Sequence, residues 1–210
     1  MNFLISGGPL MIFIGLCSIV TIAVGIERWL RLKGGRILPE GFVREVIRLL
    51  RERNLSKAIE LCSTREEIGI NVIREGLNQA GSRREVIREH FENAGREANH
   101  KLRKGLGVLA TVASISPLLG LMGTVTGMIH VFQKITEERA ALGDPSQLSK
   151  GISEALITTA AGLAVAIVTL VVHNYLVKKT EEITLELEKA SSEILDLLDT
   201  DGPLDDGIAA

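Results

Sequence analysis

Apolar and polar positions along this chain fall into long blocks rather than interleaving. Asn2 to Ile26 contains no Lys, Arg, Asp or Glu, and the same holds for Gly105 to Gln133 and for Ala155 to Val177. Each run exceeds the roughly 20 apolar residues needed to cross a hydrocarbon core about 30 Å thick. A soluble domain would spread its 24 basic and 26 acidic residues over amphipathic helices, so the pattern predicts three transmembrane helices. Between the first two runs the period changes. Phe42, Val43, Val46, Ile47 and Leu50 recur at helical spacing beside Arg44, Glu45, Arg48 and Arg51, which predicts a small helical bundle outside the membrane.

Start and stop signals refine this outline. Ser56 ahead of Ala58, Ile59 and Leu61 marks a helix start, and Gly81-Ser82 marks another. Ser82 with Glu85 three residues on has the form of a capping box, in which each side chain satisfies the other residue's free backbone N–H. From Ser82 no strong stop occurs before about Gln133, because helices tolerate single glycines; one helix of roughly 75 Å is expected there. Asp144, Pro145 and Gln147 suit the N-cap, N1 and N3 positions of a further long helix that runs on towards Gly202-Pro203. Its later part carries Ile183, Leu187, Ala190, Ile194 and Leu197, a coiled-coil-like seam that fits either an intersubunit coil or packing on the chain's own bundle.

Charge sets the orientation. Of the Lys and Arg residues, 18 lie between Arg28 and Lys104, three between Lys134 and Lys150, and three from Lys178 onward. The positive-inside rule therefore places the N-terminus outside and the segment after the first span in the cytoplasm, giving the order out, in, out, in. A cleaved signal peptide would need basic residues before the first run and small residues closing it. Here Arg28, Arg31, Lys33 and Arg36 follow the run instead, so the first helix is expected to stay as an anchor. The expected class is an all-α membrane protein. Its parts are a first transmembrane helix (1–32), a cytoplasmic helical segment (33–104), a second transmembrane helix (105–135), a short periplasmic loop (136–149), a third transmembrane helix (150–178) and a cytoplasmic C-terminal helix and tail (179–210). The second and third transmembrane helices are expected to extend into the cytoplasm. Cys17 and Cys62 fall in different environments, so neither a disulfide framework nor a metal site is indicated.

In lipid no hydrophobic force joins helices, so close association relies on small residues and on polar side chains that bond across. The second run holds Ser114, Ser116, Pro117, Gly120, Gly123, Thr124, Thr126 and Gly127, with Gly123 and Gly127 forming a GxxxG pair; Gly120, Gly123, Gly127 and, in the third run, Gly162 are the packing candidates, and Pro117 is a candidate kink. Helical geometry groups Gly120, Thr124 and Gly127 on one side of the second span, and Glu154, Thr158 and Ala161 on one side of the third, with Thr159 about 140° round from Glu154. These stripes suit a sealed bundle and a wet path equally well, because threonine hydroxyls also bond their own backbone. The first run, rich in Leu, Ile and Phe, suits the lipid-facing position. Glu154 is more specific: an ionisable group inside a span costs on the order of 2.5 to 3.5 kcal/mol on insertion scales and so points to a use. The bland alternative is an interfacial pair with Lys150, four residues earlier. No Asp or Glu stands at mid-membrane, so a proton crossing here needs a carboxylate from a partner helix. His130 and His173, near span ends, are titratable but suit packing roles as well.

At these two spans the sequence resembles the MotA/TolQ/ExbB proton-channel family, in its ExbB/TolQ branch. The matching stretches are Pro117-Leu-Leu-Gly-Leu-Met-Gly-Thr-Val-Thr-Gly-Met-Ile129 and Gly151-Ile-Ser-Glu-Ala-Leu-Ile-Thr-Thr-Ala-Ala-Gly-Leu-Ala-Val-Ala-Ile167, followed by Asn174. The resemblance implies an inner-membrane homo-oligomer, a pentamer, enclosing single-span ExbD/TolR-like helices that carry a transmembrane Asp. It further implies that protons are the coupling ion, with no other cofactor, and that proton motive force is turned into work on a TonB- or TolA-like protein for outer-membrane transport or integrity. It makes Thr124 and Thr159 pore-lining residues, with Thr158 beside them, and Glu154 the acid near the outer end of the third span. Val168 stands where the family often has Pro. His130 resembles TolQ and Gly143-Asp-Pro-Ser-Gln147 resembles ExbB, whereas MotA has four spans and a larger cytoplasmic region. The competing reading is a structural membrane scaffold that conducts no protons. The chain shows no nucleophile–base pair, metal cluster or phosphate loop that would mark an enzyme, and its basic segment is balanced by Glu, which gives no nucleic-acid footprint.

Overall fold

In a computed structural model that describes residues 9–32, 37–39, 41–137 and 145–200, those residues form seven α-helices and no strand. They are α1 (Leu10–Arg31), α2 (Phe42–Arg51), α3 (Leu55–Ser63), α4 (Ile68–Leu77), α5 (Arg84–Arg103), α6 (Leu106–Glu137) and α7 (Pro145–Thr200). Three of them, α1, α6 and α7, contain stretches long and apolar enough to cross a membrane. The candidate N-cap Asp144 and the terminal stop at Gly202-Pro203 lie outside the described residues, as do the side chains of residues 145–148. The chain divides into two compact units. One takes in α1 up to Arg28 and the stretch Gly105–Tyr175; the other takes in Trp29–Lys104 and the chain from Leu176.

The first unit is built on small residues. α6 and α7 meet through glycines, while α1 rests Gly25 against Val172 of α7, where an added Cβ would stand 3.2 Å from that side chain. Large apolar side chains, among them Ile12, Phe13, Leu16, Leu118, Leu121, Leu156 and Val171, stay exposed on all three helices, as expected of a surface that faces lipid or a neighbouring helix. α6 continues through Pro117. The ring there removes one N–H and frees the carbonyl four residues earlier. α7 is unbroken past Val168, which is 58% exposed.

The expected helix from Ser82 to Gln133 is two helices. α5 ends at Arg103, and Gly105 takes φ +85 before α6 begins. That left-handed conformation suits glycine and stops a helix. Arg28 of α1, itself only 7% exposed, packs here, its Nε 2.9 Å from where a Gly105 side chain would start. The capping box at Ser82 does not form either. Gly81 at φ +89 closes the turn after α4, Ser82 N–H donates to the Gln79 carbonyl (3.0 Å), and Arg83 becomes the N-cap with no side-chain cap bond. Glu85 still lies in the first turn, where its charge complements the helix dipole. The start assigned to Ser56 moves back to Asn54, whose side chain accepts from Lys57 N–H at 3.4 Å.

The second unit packs α2–α5 with the later part of α7 around Val46, Ala58, Cys62, Ile70, Ile73, Leu77, Ile87 and Phe91, all at most 5% exposed. The α2 stripe is as expected: Phe42, Val46, Ile47 and Leu50 are buried, Val43 is half-buried, and Arg44, Arg48 and Arg51 face out. Gly76 is required because the Phe91 ring lies directly over its α-carbon. The α7 seam is covered within the chain, with Ile183, Leu187, Ala190 and Ile194 buried and Leu197 half-buried. Arg84 ties α5 to α7 through Asp196 (2.7 Å) and Asp199 (2.6 Å).

Cys62 is fully buried, and loss of hydration pushes its thiol up to about 11 against an ordinary 9.0, with the Arg74 charge opposing that shift. At pH 8 its thiolate fraction is therefore about 100-fold below that of a free cysteine. Maleimide labelling of the Cys17→Ser protein is expected to be slow until the unit is denatured. The unfolded thiol ionises first, so this contribution to stability is complete below pH 9 and fades as pH rises towards 11. Fast labelling of native protein at pH 8 would contradict the packing around α3.

Candidate functional site

The polar positions of α6 and α7 converge on one seam. Gly162 approaches α6 so closely that a Cβ would stand 2.5 Å from the Ser116 carbonyl oxygen and 3.0 Å from the Gly120 α-carbon. Gly120 faces the backbone of Thr158 and Thr159 at 3.0–3.2 Å, Gly123 faces the Thr158 side chain, and Gly127 faces the Ala155 Cβ at 3.1 Å. All four predicted packing glycines thus fall on the interface. Backbones this close exclude water and gather many small dispersion contacts, the main source of helix association in lipid.

The threonines separate into distinct roles. Thr158 is 1% exposed, sits on Gly123, and donates its hydroxyl to the Glu154 carbonyl at 2.9 Å. Thr159 donates across the seam to the Gly120 carbonyl at 2.9 Å. Thr124 is half-buried beside the seam and donates to the Leu121 carbonyl one turn back at 2.7 Å. Each hydroxyl proton is therefore committed to a carbonyl, while each oxygen keeps lone pairs that can accept from water. Pro117 lies one residue after Ser116, whose hydroxyl is fully buried on the Val112 carbonyl at 2.7 Å.

Glu154 is half-buried on α7, and it forms no ion pair with Lys150 among the described residues. Between Ala155 and Val177, as between Leu106 and Gln133, no Lys, Arg, Asp or Glu occurs. His130 places Nδ1 3.1 Å from the Thr126 carbonyl, and His173 places Nδ1 3.3 Å from Asn174 Oδ1. No group of three or more His, Cys, Asp or Glu among the described residues is placed to hold a metal ion. The arrangement offers a tightly sealed helix pair, with the Thr124 hydroxyl on α6 and the Glu154 carboxyl on α7 left half-buried.

Two parts of this site escaped sequence reasoning. Gly151 and Ala155 extend the seam towards the start of α7, with Gly151 against Val131; the small residues at 151, 155, 158 and 162 carry that signal at helical spacing. The other part is a buried pair between α1 and α7, where Thr21 and Thr169 share a hydrogen bond of 2.8 Å. Each hydroxyl also has a carbonyl of its own helix in reach, Cys17 at 2.9 Å and Val165 at 2.7 Å, so with one proton apiece one threonine donates across the pair and the other to its carbonyl. Nothing in the spacing of two solitary threonines announces that they meet.

Comparison with known proteins places this geometry. Residues 64–189, more than half of the chain, match the MotA/TolQ/ExbB proton channel family. The ExbB-like 1 protein of Synechocystis sp. is 34% identical over 178 residues, covering 82% of this chain and 68% of that protein. The biopolymer transport protein ExbB of Pseudomonas putida is 28% identical over 200 residues, covering 91% of this chain and 59% of its own length. ExbB of Aquifex aeolicus is 35% identical over 118 residues, covering 56% of this chain and 78% of that relative.

Proposed function

The chain belongs to the MotA/TolQ/ExbB proton channel family, in its ExbB branch, and from that premise we propose that it is the multi-pass subunit of an inner-membrane, proton-driven motor. In this reading the N-terminus is periplasmic and the C-terminus cytoplasmic. Five copies surround single-span ExbD/TolR-like helices whose transmembrane Asp supplies the carboxylate that this chain lacks. Protons moving down their gradient protonate and release that Asp, and the resulting displacement works on a TonB/TolA-like protein.

The observation that carries the proposal is the division of labour at the seam. Packing consumes Thr158 and the four glycines, yet leaves Thr124 on α6 and Glu154 on α7 half-buried, in spans otherwise free of Lys, Arg, Asp and Glu. A partner helix laid against α6 at Thr124 meets a hydroxyl oxygen that can accept from, and so position, a water carrying a proton. Rigid walls also suit a motor, because an axle transmits work only against a stator that does not deform.

The scaffold reading draws on the Thr159–Gly120 bond, which shows a polar residue spent on helix packing. Proteoliposomes containing a pH-sensitive dye separate the two. The chain together with a single-span partner bearing an Asp is expected to acidify the lumen under an imposed gradient, and the chain alone is expected not to. Flux that is equally absent with the partner would leave only the scaffold.

A further inference from the structure

We propose that the cleft between α5 and α7 in the second unit is where a second copy of this chain docks, through Leu185. This rests on the homo-oligomer of the preceding section and adds to it a contact away from the α6–α7 seam.

The cleft has a volume of about 500 Å³ and an apolar floor of Val72, Phe91, Leu187 and Leu195. Its wall opens at Gly95, where an added Cβ would meet nothing within 4 Å. A glycine at mid-helix weakens α5 by its flexibility, and this one contacts nothing in its own chain that would demand a missing side chain. It leaves a notch that a knob from outside can enter. Two charges on the cleft rim, Arg88 and Glu188, have no ion-pair partner among the described residues, whereas Arg96 is tied to Glu92 and Arg84 to Asp196 and Asp199.

The complementary feature lies on the same helix, outside the cleft. Beyond the end of α1, the second unit exposes two large apolar side chains among its described residues, Val86 at 37% and Leu185 at 51%. Leu185 is flanked by Glu186 next to it and by Lys189 one turn on, and neither of these has an ion-pair partner among the described residues. Knob and notch therefore each carry one apolar element and one unpaired charge of each sign. With Leu185 over Gly95, Lys189, one turn on, can meet Glu188 of the cleft rim. The two surfaces differ and lie on one rigid helix, so a chain cannot fill its own cleft; the contact is heterologous, the kind that closes rings.

The test is oxidative cross-linking of the Leu185→Cys, Gly95→Cys double variant in nanodiscs, with native mass spectrometry in parallel. Both sites point into open space, so folding is preserved. Cys62 is buried and the two single variants control for Cys17. A ladder of covalent multimers in the double variant alone is the expected result, and Gly95→Phe should weaken the oligomer by filling the notch. An oligomer by mass with no ladder overturns the docking proposal while the homo-oligomer stands. A monomer by mass overturns both. Cross-linking confined to one chain, or to a protein other than this one, shows a different occupant and likewise overturns it.

Discussion

Gly162→Leu is expected to leave almost no assembled protein in the membrane, while Gly15→Leu, an equal change in the first span, is expected to have little effect. The reason lies in what each new side chain meets. At Gly162 the first added atom would stand 2.5 Å from the Ser116 carbonyl oxygen and 3.1 Å from the Gly120 nitrogen, both backbone atoms that no rotamer change can move. α6 and α7 must then separate, which removes the contacts of Gly120 and Gly123 and breaks the Thr159 bond together. Overpacking a single core site costs typically about 1–3 kcal/mol, and here one site holds the whole seam. At Gly15 nothing lies within 4 Å of the added atom. Gly123→Ala falls between these, because the new methyl meets the Thr158 side chain, whose Cγ2 can turn aside but whose Cβ, 2.8 Å away, moves only with its backbone. Yield in a detergent-stable complex and the midpoint of thermal unfolding measure the order Gly162, then Gly123, then Gly15. An unperturbed Gly162→Leu protein would mean that the two helices do not pack as described.

Much of this seam was legible in the chain. Gly120, Gly123, Gly127 and Gly162 announce close helix approach because few other reasons place glycine in an apolar span, and their spacing shows which face they share. The partner across the seam was not legible. Thr158 and Thr159 are adjacent and chemically identical, and only the crossing of two helices decides that one lies under Gly123 and the other reaches the Gly120 carbonyl. The break at Gly105 was hidden for a related reason. Periodicity continues across it, and a glycine inside a helix reads the same as a glycine at φ +85 until Arg28 is brought in from α1. At Ser82 the local motif was present, but the preceding turn at Gly81 had already taken its backbone. α7, by contrast, was read correctly as one long helix, because no residue between Pro145 and Thr200 opposes it.

Thr124→Val gives the cleanest separation of conduction from packing. The side chain keeps its shape, and the hydroxyl it loses was bonded only within α6, to the Leu121 carbonyl, so the unfolding midpoint should stay within about a degree or two of the parent. If water relays protons along this margin, removal of an acceptor beside the partner's Asp should lower gradient-driven flux about tenfold or more, the low end for a lost proton-transfer group being roughly a hundredfold. Thr124→Ser, which restores the oxygen, should recover most of that flux. The corresponding changes at Thr159 are less clean. Thr159→Val also breaks the bond to Gly120, and interhelical bonds of this kind average about 0.6 kcal/mol, so stability and flux should fall together. Flux is the deciding measurement: parental flux in Thr124→Val, at parental stability, removes Thr124 from the proton path and leaves Thr159 and Glu154 to serve it.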